Sequence, residues 1–252
     1  MNLFNLRRSP PSIDDLVEGS FQACSDNKPS SDCLMPSVER PAQVFVRGQG
    51  SWLWDSDDRA YLDFSQGGGA NSLGHSPTVL VNAITEQAQS LINVGFGLQH
   101  RGMLNLANRL CKSTDSDQAY LLNSGSEACE AAIKLARKWG QRYRGGASRI
   151  IVANNACHGR SLATISASDS TTLTNRFEPL LPGFSRVPFN DLPALHAAVD
   201  AQTVAIMLEP IQSDAGVIPA TERYLKDVQQ LCRELGILLI FDEVQTGIGR
   251  CG

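Results

Sequence analysis

The sequence has few aromatic residues and no excess of positive charge. Aromatic side chains make up 6% of the 252 residues, and the formal net charge at pH 7 is −4. A surface that binds nucleic acid or acidic lipid needs a basic field, which this composition does not supply. We therefore expect neither a nucleic-acid partner nor a membrane partner.

The seven cysteines are irregularly spaced and include no CxxC pair. This spacing indicates neither a disulfide framework nor a zinc site, so no metal is expected, and it favours a reducing, cytoplasmic location. No apolar run approaches the roughly 18 residues of a membrane span, and the start, MNLFNLRRSPPS, lacks the apolar core of a signal peptide. The remaining composition, 42% apolar and 19% charged, is that of a globular protein.

Composition and pattern divide the sequence into three parts. Residues 1–40 are rich in Ser, Pro, Asp and Asn, which predicts a loosely structured segment. Residues 41–65 alternate apolar and polar residues with breaks at GQG and DSDD, which predicts short antiparallel strands. In residues 66–252 amphipathic stretches alternate with short apolar runs. This pattern predicts an α/β domain with a mostly parallel sheet and helices on both faces.

The third part contains the elements that would position a site. The predicted helices are Pro77–Leu91, Met103–Cys111, Ser126–Tyr143, Leu192–Asp200 and Thr221–Leu235. The predicted strands are Ala119–Leu122, Arg149–Ala153, Val204–Leu208 and Ile237–Phe241. Ligands of parallel sheets bind beyond the carboxyl ends of the strands, so the polar residues that follow each strand are the candidates.

The segment after the first predicted strand reads NSGSEACEAAIKLARKWG. Ser124 and Glu127 fit the S-x-x-E capping box of a helix N-terminus. Gly125 and Ser126 leave backbone N–H groups and a hydroxyl at that terminus, where phosphate binds well. The alternative is a well-capped helix with no ligand.

The next two strands are also followed by polar residues. Arg160 offers a planar fork suited to a carboxylate, and Glu209 and Asp214 follow the third strand. Cys157 and His158 could form a thiol–imidazole pair, but neighbours in an extended segment usually point in opposite directions. A small buried cysteine is therefore the preferred interpretation of Cys157.

The last predicted strand leads directly into Asp242, and three interpretations of that carboxylate compete. A P-loop ATPase also needs a Gly-Lys pair, which the sequence lacks. The GIGRCG at Gly247–Gly252 matches a dinucleotide fingerprint only in letters, because DEVQT separates it from the strand and no helix follows. The third is a carboxylate that keeps a pyridine nitrogen protonated. Combined with a phosphate site, this points to pyridoxal phosphate.

Four motifs in order, NSGSEACEAAIKLAR, ACHGRSLATISAS, EPIQSDAGVIPA and LIFDEVQTGIGRCG, resemble the class III aminotransferases. The acetylornithine and succinylornithine members look most similar, because of HGRSL and VPFNDLPAL. The resemblance implies the large domain of a fold-type I pyridoxal-phosphate enzyme, with an N-terminal segment of the small domain at residues 41–65. It also implies a homodimer in the full-length form that transfers an amino group from an acylated ornithine to the 2-oxo acid 2-oxoglutarate, in arginine metabolism.

The same resemblance assigns roles residue by residue. A substrate carboxylate would bind Arg160. Gly125 and Ser126 would hold the phosphate of the cofactor, and Asp242 would pair with its pyridine nitrogen. Val244 would pack on the ring face, and Gln245 would bond the phenolic oxygen.

Three departures from the family pattern leave alternatives open. Cys157 stands where the family usually has an aromatic residue on the cofactor ring, and Asp214 stands where relatives have a gating glutamate. The family's Schiff-base lysine is expected beyond the end of this sequence, with the C-terminal part, so no catalytic residue is assigned and the chain alone is expected to be inactive. The alternatives are a truncated non-catalytic remnant, or an ω-aminotransferase that uses ornithine or 4-aminobutyrate.

Overall fold

The structure is a computed structural model that describes residues 34–35, 39–169 and 177–251. The described chain divides into two compact units. The first contains the described residues up to Arg47 together with Trp54–Ala60, and the second contains Gly48–Leu53 and the residues from Tyr61 onward. Most of the predicted loose segment, residues 1–40, lies outside the described residues.

The described residues contain no helix with the length and apolarity that crossing a bilayer requires.

The described elements are three strands, then three helices, and then strands and helices that alternate except where three strands follow one another. The strands are β1 (Phe45–Gln49), β2 (Trp52–Asp55), β3 (Ala60–Leu62), β4 (Arg149–Ala153), β5 (Phe184–Val187), β6 (Thr203–Leu208), β7 (Ile211–Gln212), β8 (Ile218–Pro219) and β9 (Leu238–Phe241). The helices are α1 (Thr78–Ser90), α2 (Arg101–Thr114), α3 (Gly125–Tyr143), α4 (Leu162–Ala167), α5 (Leu192–Ala198) and α6 (Glu222–Leu235).

The strands predicted within residues 41–65 are present as a three-stranded sheet in the order β1-β2-β3. The DSDD break is a tight turn because Asp55, whose side chain is buried, accepts hydrogen bonds from the N–H groups of Asp57 and Arg59 at 3.0 and 2.9 Å. An aspartate that bonds its own following backbone is a common way to close such a turn.

The second unit is built on a four-stranded sheet in the order β5-β4-β6-β9, in which every neighbouring pair is parallel. Every residue of β6, at the centre, is buried. One face of the sheet packs on α3 through Ile150 and Met207 against Ile133. The other packs on α6 through Ile206 against Val228. The predicted parallel sheet with helices on both faces is confirmed.

Helices α3 and α6 begin within one residue of their predicted starts and end at the predicted residues, whereas α5 ends at Ala198, two residues before the predicted Asp200. Ser124 caps α3, since its side chain accepts a hydrogen bond from the N–H of Glu127. Thr221 caps α6 in the same way through Tyr224, and the residue after the end of α6 is Gly236, whose φ of 60° is left-handed. These caps fix the direction in which α3 starts, which matters for the site.

The prediction of a strand at Ala119–Leu122 was wrong, because this segment forms no strand in the structure. Its apolar side chains are exposed, with Tyr120 at 79% and Leu122 at 38%. An apolar run becomes a strand only when a neighbour supplies the hydrogen-bond ladder, and among the described residues no strand pairs with it. β5 and α4 were not predicted; they are four and six residues long.

Helices α1 and α2 were both predicted, although α2 extends from Arg101 to Thr114 rather than from Met103 to Cys111, and they pack differently from α3 and α6. Neither helix, over its full length, contains a buried residue. Their apolar side chains are open to solvent, including Ile84 at 58% and Leu106 at 48%. His100 begins α2 by accepting a hydrogen bond from the N–H of Met103.

Candidate active site

All eight site residues predicted from the sequence line one cavity of about 350 Å³ at the carboxyl ends of the parallel strands. The predicted residues in its wall are Gly125, Ser126, Cys157, Arg160, Asp214, Asp242, Val244 and Gln245. Four further residues complete the lining, namely His158, Gly159, Glu209 and Ser213. The cavity thus combines a helix N-terminus, three carboxyl groups, an imidazole and a guanidinium.

The N-terminus of α3 forms one wall. A Cβ atom on Gly125 would lie 2.6 Å from a methyl group of Val244, so only glycine allows the helix to come this close. A Cβ atom on Gly159, whose φ is +131°, would lie 2.6 Å from the Oγ atom of Ser126. That Oγ atom accepts the N–H of Arg160 at 3.2 Å. Two glycines therefore keep open a cradle of backbone N–H groups at the positive end of a helix.

Asp242 is buried at the floor of the cavity, one residue after β9. Its N–H donates to the carbonyl of Leu208 at 2.8 Å, which continues the β6–β9 pairing and fixes the backbone. Its Oδ1 atom accepts the N–H of Val244 at 3.0 Å, and its Oδ2 atom accepts from His158 Nδ1 at 2.8 Å and from the Cys129 thiol at 3.3 Å. The carboxylate is thus held by three donors.

These donors decide the charge of Asp242. Burial alone would raise the pKa of this carboxyl group, but the hydrogen bond and charge of His158, with the Val244 N–H and the Cys129 thiol, hold the pKa below its usual value. The side chain of His158 is itself fully buried. Its Nε2 atom has no hydrogen-bond partner in the described structure. A buried, ionised carboxylate at the floor can pair with a cationic ring nitrogen.

Glu209 lies beside Asp242 as a second buried carboxyl group. Its Oε2 atom accepts the N–H of Cys157 at 3.0 Å, but burial raises its pKa to about 7. Burial, together with the neighbouring Asp214 carboxylate, raises the pKa of the Cys157 thiol to about 11. A thiol with such a pKa is not a nucleophile at neutral pH.

The residues at the rim of the cavity are exposed, whereas those at its floor are buried. Arg160, Asp214, Val244 and Gln245 are all exposed. Gln245 reaches toward the glycine-rich turn after β3, because a Cβ atom on Gly69 would lie 3.7 Å from its Oε1 atom. The guanidinium of Arg160 is therefore accessible to a ligand that enters from solvent.

The residues that line the cavity have the chemistry needed to hold a phosphorylated pyridine. The cradle at Gly125 and Gly159 would be filled by a side chain at either position, and a buried carboxylate lies in the same cavity. A phosphate suits the first and a protonated ring nitrogen suits the second.

Comparison with known proteins decides the family. Residues 35–252 match the family model described as Aminotransferase class-III. The chain belongs to this family.

Among curated relatives of this class-III chain, acetylornithine aminotransferase 2 of Bordetella bronchiseptica is 48% identical over 221 residues, which is 88% of this chain and 56% of the relative. The succinylornithine transaminase/acetylornithine aminotransferase of Pseudomonas aeruginosa is 42% identical over 220 residues, 87% of this chain and 54% of the relative. The chain thus spans about half the length of the curated relatives it matches.

Solved structures of the family show the same fold. Ornithine aminotransferase of Toxoplasma gondii matches with a TM-score of 0.81 at 32% identity, over 85% of this chain and 52% of that one. N-acetylornithine aminotransferase of Stenotrophomonas maltophilia matches with a TM-score of 0.71 at 36% identity, over 84% and 53%. The fold is therefore that of the fold-type I aminotransferases, and pyridoxal phosphate is the cofactor that the family implies.

Sequence reasoning missed the groups that support Asp242 and misjudged one neighbour. Cys157 is not a buried cysteine: it is partly exposed in the cavity wall. His158 contacts Asp242 rather than a thiol nucleophile, and the contact spans 84 positions of sequence. Cys129 is buried with Ile133 on the face of α3 that packs on the sheet, whereas Ala128 and Leu135 of the same helix are exposed, so the apolar period alone did not identify Cys129.

Proposed function

We propose that this chain forms the cofactor-binding part of a pyridoxal-phosphate-dependent aminotransferase that moves an amino group from N-acetylornithine, or a related acylated ornithine, to 2-oxoglutarate. The observation that carries the proposal is the buried Asp242 carboxylate in one cavity with the N-terminus of α3. The 48% identity to acetylornithine aminotransferase 2 supports the choice of donor.

Each part of the cavity has a task in this proposal. When bound, pyridoxal phosphate would supply an electron sink for the chemistry at the carbon that carries the donor's transferable amino group, which in an ornithine acylated on its α-amino group is the δ-carbon. Gly125 and Ser126 hold the phosphate with backbone N–H groups and a hydroxyl. Asp242 keeps the ring nitrogen protonated, Val244 packs on the ring, and Gln245 bonds the phenolic oxygen.

The rim selects the substrate in this proposal. Arg160 binds a substrate carboxylate, since it is exposed at the cavity mouth and its planar fork matches a carboxylate in two hydrogen bonds. Asp214, also exposed at the mouth, lies in the segment after β7, at the position where the family resemblance places a gating carboxylate.

Ornithine is a second candidate donor, favoured by the TM-score of 0.81 to an ornithine aminotransferase. The homodimer is part of the proposal too. It is supported by the apolar side chains that α1 and α2 expose. A non-catalytic remnant would keep the cavity without turnover, so binding and activity are tested separately.

Binding is tested on the chain itself. Titration with pyridoxal phosphate, followed by quenching of tryptophan fluorescence, should saturate at one site per chain. Asp242→Asn should weaken binding at least about tenfold, because a neutral amide cannot pair with the ring cation. Asp227→Asn, on the solvent side of α6, serves as the matched control. Equal affinities of Asp242→Asn and the parent chain for pyridoxal phosphate would contradict the assignment of Asp242 to the ring nitrogen.

Activity is tested in a chimera in which residues 35–252 replace the matched segment of the Bordetella relative. Turnover of N-acetylornithine, ornithine and 4-aminobutyrate with 2-oxoglutarate ranks the donors. Arg160→Ala should raise KM for the preferred donor much more than it changes the cofactor spectrum. A chimera that binds cofactor but turns over none of the donors identifies the non-catalytic remnant.

A further inference from the structure

Asp242 is held in an asymmetric way, and the asymmetry depends on a cysteine. Both side-chain donors, His158 and Cys129, bind Oδ2, whereas within the described part of the chain Oδ1 receives only the backbone N–H of Val244. A carboxyl group cannot rotate freely when one of its oxygens accepts hydrogen bonds from two fixed donors. The orientation of its other oxygen is therefore fixed.

Cys129 can act only as a donor in this arrangement. Its side chain is 5% exposed, and it lies on the face of α3 that packs on the sheet with Ile133 and Ala136. Burial, reinforced by the negative charge of Asp242, raises the pKa of this thiol far above its usual range. The thiol therefore stays protonated and its hydrogen points at Oδ2, 3.3 Å away.

We propose that Cys129 is a positioning residue for Asp242. Its thiol, with the His158 imidazole, clamps Oδ2 and thereby directs Oδ1 to the ring nitrogen of the bound cofactor. The role of Oδ1 rests on the proposed function, whereas the clamp on Oδ2 does not. Because α3 also carries Gly125 and Ser126 at its N-terminus, one helix sets both the phosphate cradle and the orientation of the carboxylate.

The clamp is tested without any ligand. Carbon-13 NMR of the Asp242 carboxyl group follows its pKa in the whole chain. Cys129→Ala should raise that pKa, because one donor to the ionised form is lost. Cys129→Ser, which keeps a donor, should restore it toward the parent value. Cys232→Ala is the matched control: it removes another buried thiol, on α6, that contacts the carbonyl of Leu238 at 3.9 Å and not Asp242.

The direction of Oδ1 is tested with a pair of ligands, 4-deoxypyridoxine 5′-phosphate and its analogue with C–H in place of the ring nitrogen. Neither has an aldehyde, so neither reacts with lysine. The ratio of the two Kd values isolates the ring nitrogen from general damage to the cavity. Cys129→Ala should reduce the preference for the pyridine about threefold to tenfold, the effect of one hydrogen bond. Cys129→Ser and Cys232→Ala should keep it.

The outcomes separate the two proposals. An unchanged Asp242 pKa in Cys129→Ala, or an equal loss of ring preference in Cys129→Ala and Cys232→Ala, overturns the positioning role. Stoichiometric zinc in the parent chain that is lost in Cys129→Ala also overturns it, since the ligand atoms of Cys129, His158 and Asp242 lie within 4.8 Å of one another and would then be metal ligands. If the parent chain binds neither ligand but the pKa rises as expected, the cofactor assignment fails and the clamp stands.

Discussion

The helices on the parallel sheet and the helices α1 and α2 come from similar amphipathic patterns, yet they differ in burial. α3 and α6 each bury four residues, whereas α1 and α2, which are described throughout, bury none. The period of apolar residues determines that a helix forms and which face is apolar. It does not determine what covers that face. The buried floor of the candidate site lies entirely in the covered region.

The largest expected difference between the two regions is the cost of losing an isoleucine. Ile206→Ala, in the fully buried β6, should lower the free energy of unfolding by about 2–5 kcal/mol, because it leaves a cavity in the core. Ile84→Ala, on the open face of α1, should change it by less than about 0.5 kcal/mol. Urea unfolding followed by circular dichroism measures both. Similar losses at the two positions would mean that α1 is packed in solution.

A smaller difference is expected in how two glutamates, one buried and one exposed, affect the pH dependence of the free energy of unfolding. Glu209 has a folded-state pKa of about 7, raised by burial from 4.5. Between these values the folded chain holds a proton that the unfolded chain has released, so stability falls as pH rises from about 4.5 to 7.

Glu209→Gln should remove this loss, making the variant relatively more stable at pH 7 than at pH 5 by roughly 1–3 kcal/mol compared with the parent. Glu86→Gln, on the exposed α1, should follow the parent curve. Unfolding free energies at pH 5, 6 and 7 provide the comparison. Parallel curves for Glu209→Gln and the parent would show that Glu209 titrates normally.

The smallest difference concerns two helix caps. Ser124→Ala removes the cap of the packed α3 and should cost about 1 kcal/mol of stability. His100→Ala removes the cap of α2, which buries nothing, so we expect local fraying and a change in global stability of less than about 0.5 kcal/mol. Amide hydrogen exchange in the first turn of each helix distinguishes local from global loss. Global destabilisation by His100→Ala would remove the distinction between the regions.

The sequence was sufficient for the elements that have a strong period and for the residues at strand ends. Asp242 could be placed because a run of apolar residues ends directly before it, and Ser126 because a capping box marks the start of α3. Their convergence followed from the geometry of parallel strands, whose carboxyl ends share one edge.

The remaining features depend on partners that are distant in sequence. The contact of Cys129 with Asp242 joins residues 113 positions apart, and no local pattern encodes that pairing. β5 has only four residues, two of them polar, so its apolar signal is too short to recognise. Ala119–Leu122 has the opposite problem: its residues favour a strand, but a strand also needs a neighbour to pair with.

The parallel arrangement of the sheet also sets the order in which the cavity can be assembled. Its walls come from four stretches, near residues 125, 158, 212 and 243, and the last three of these meet only when β4, β6 and β9 have paired. Asp242 follows the last of these strands in the chain, so a growing polypeptide has no floor to the cavity until β9 has docked on β6. Such long-range contacts form late and slowly in folding. Capture of a phosphopyridine by this chain would therefore report that β9 has docked on β6 and completed the floor.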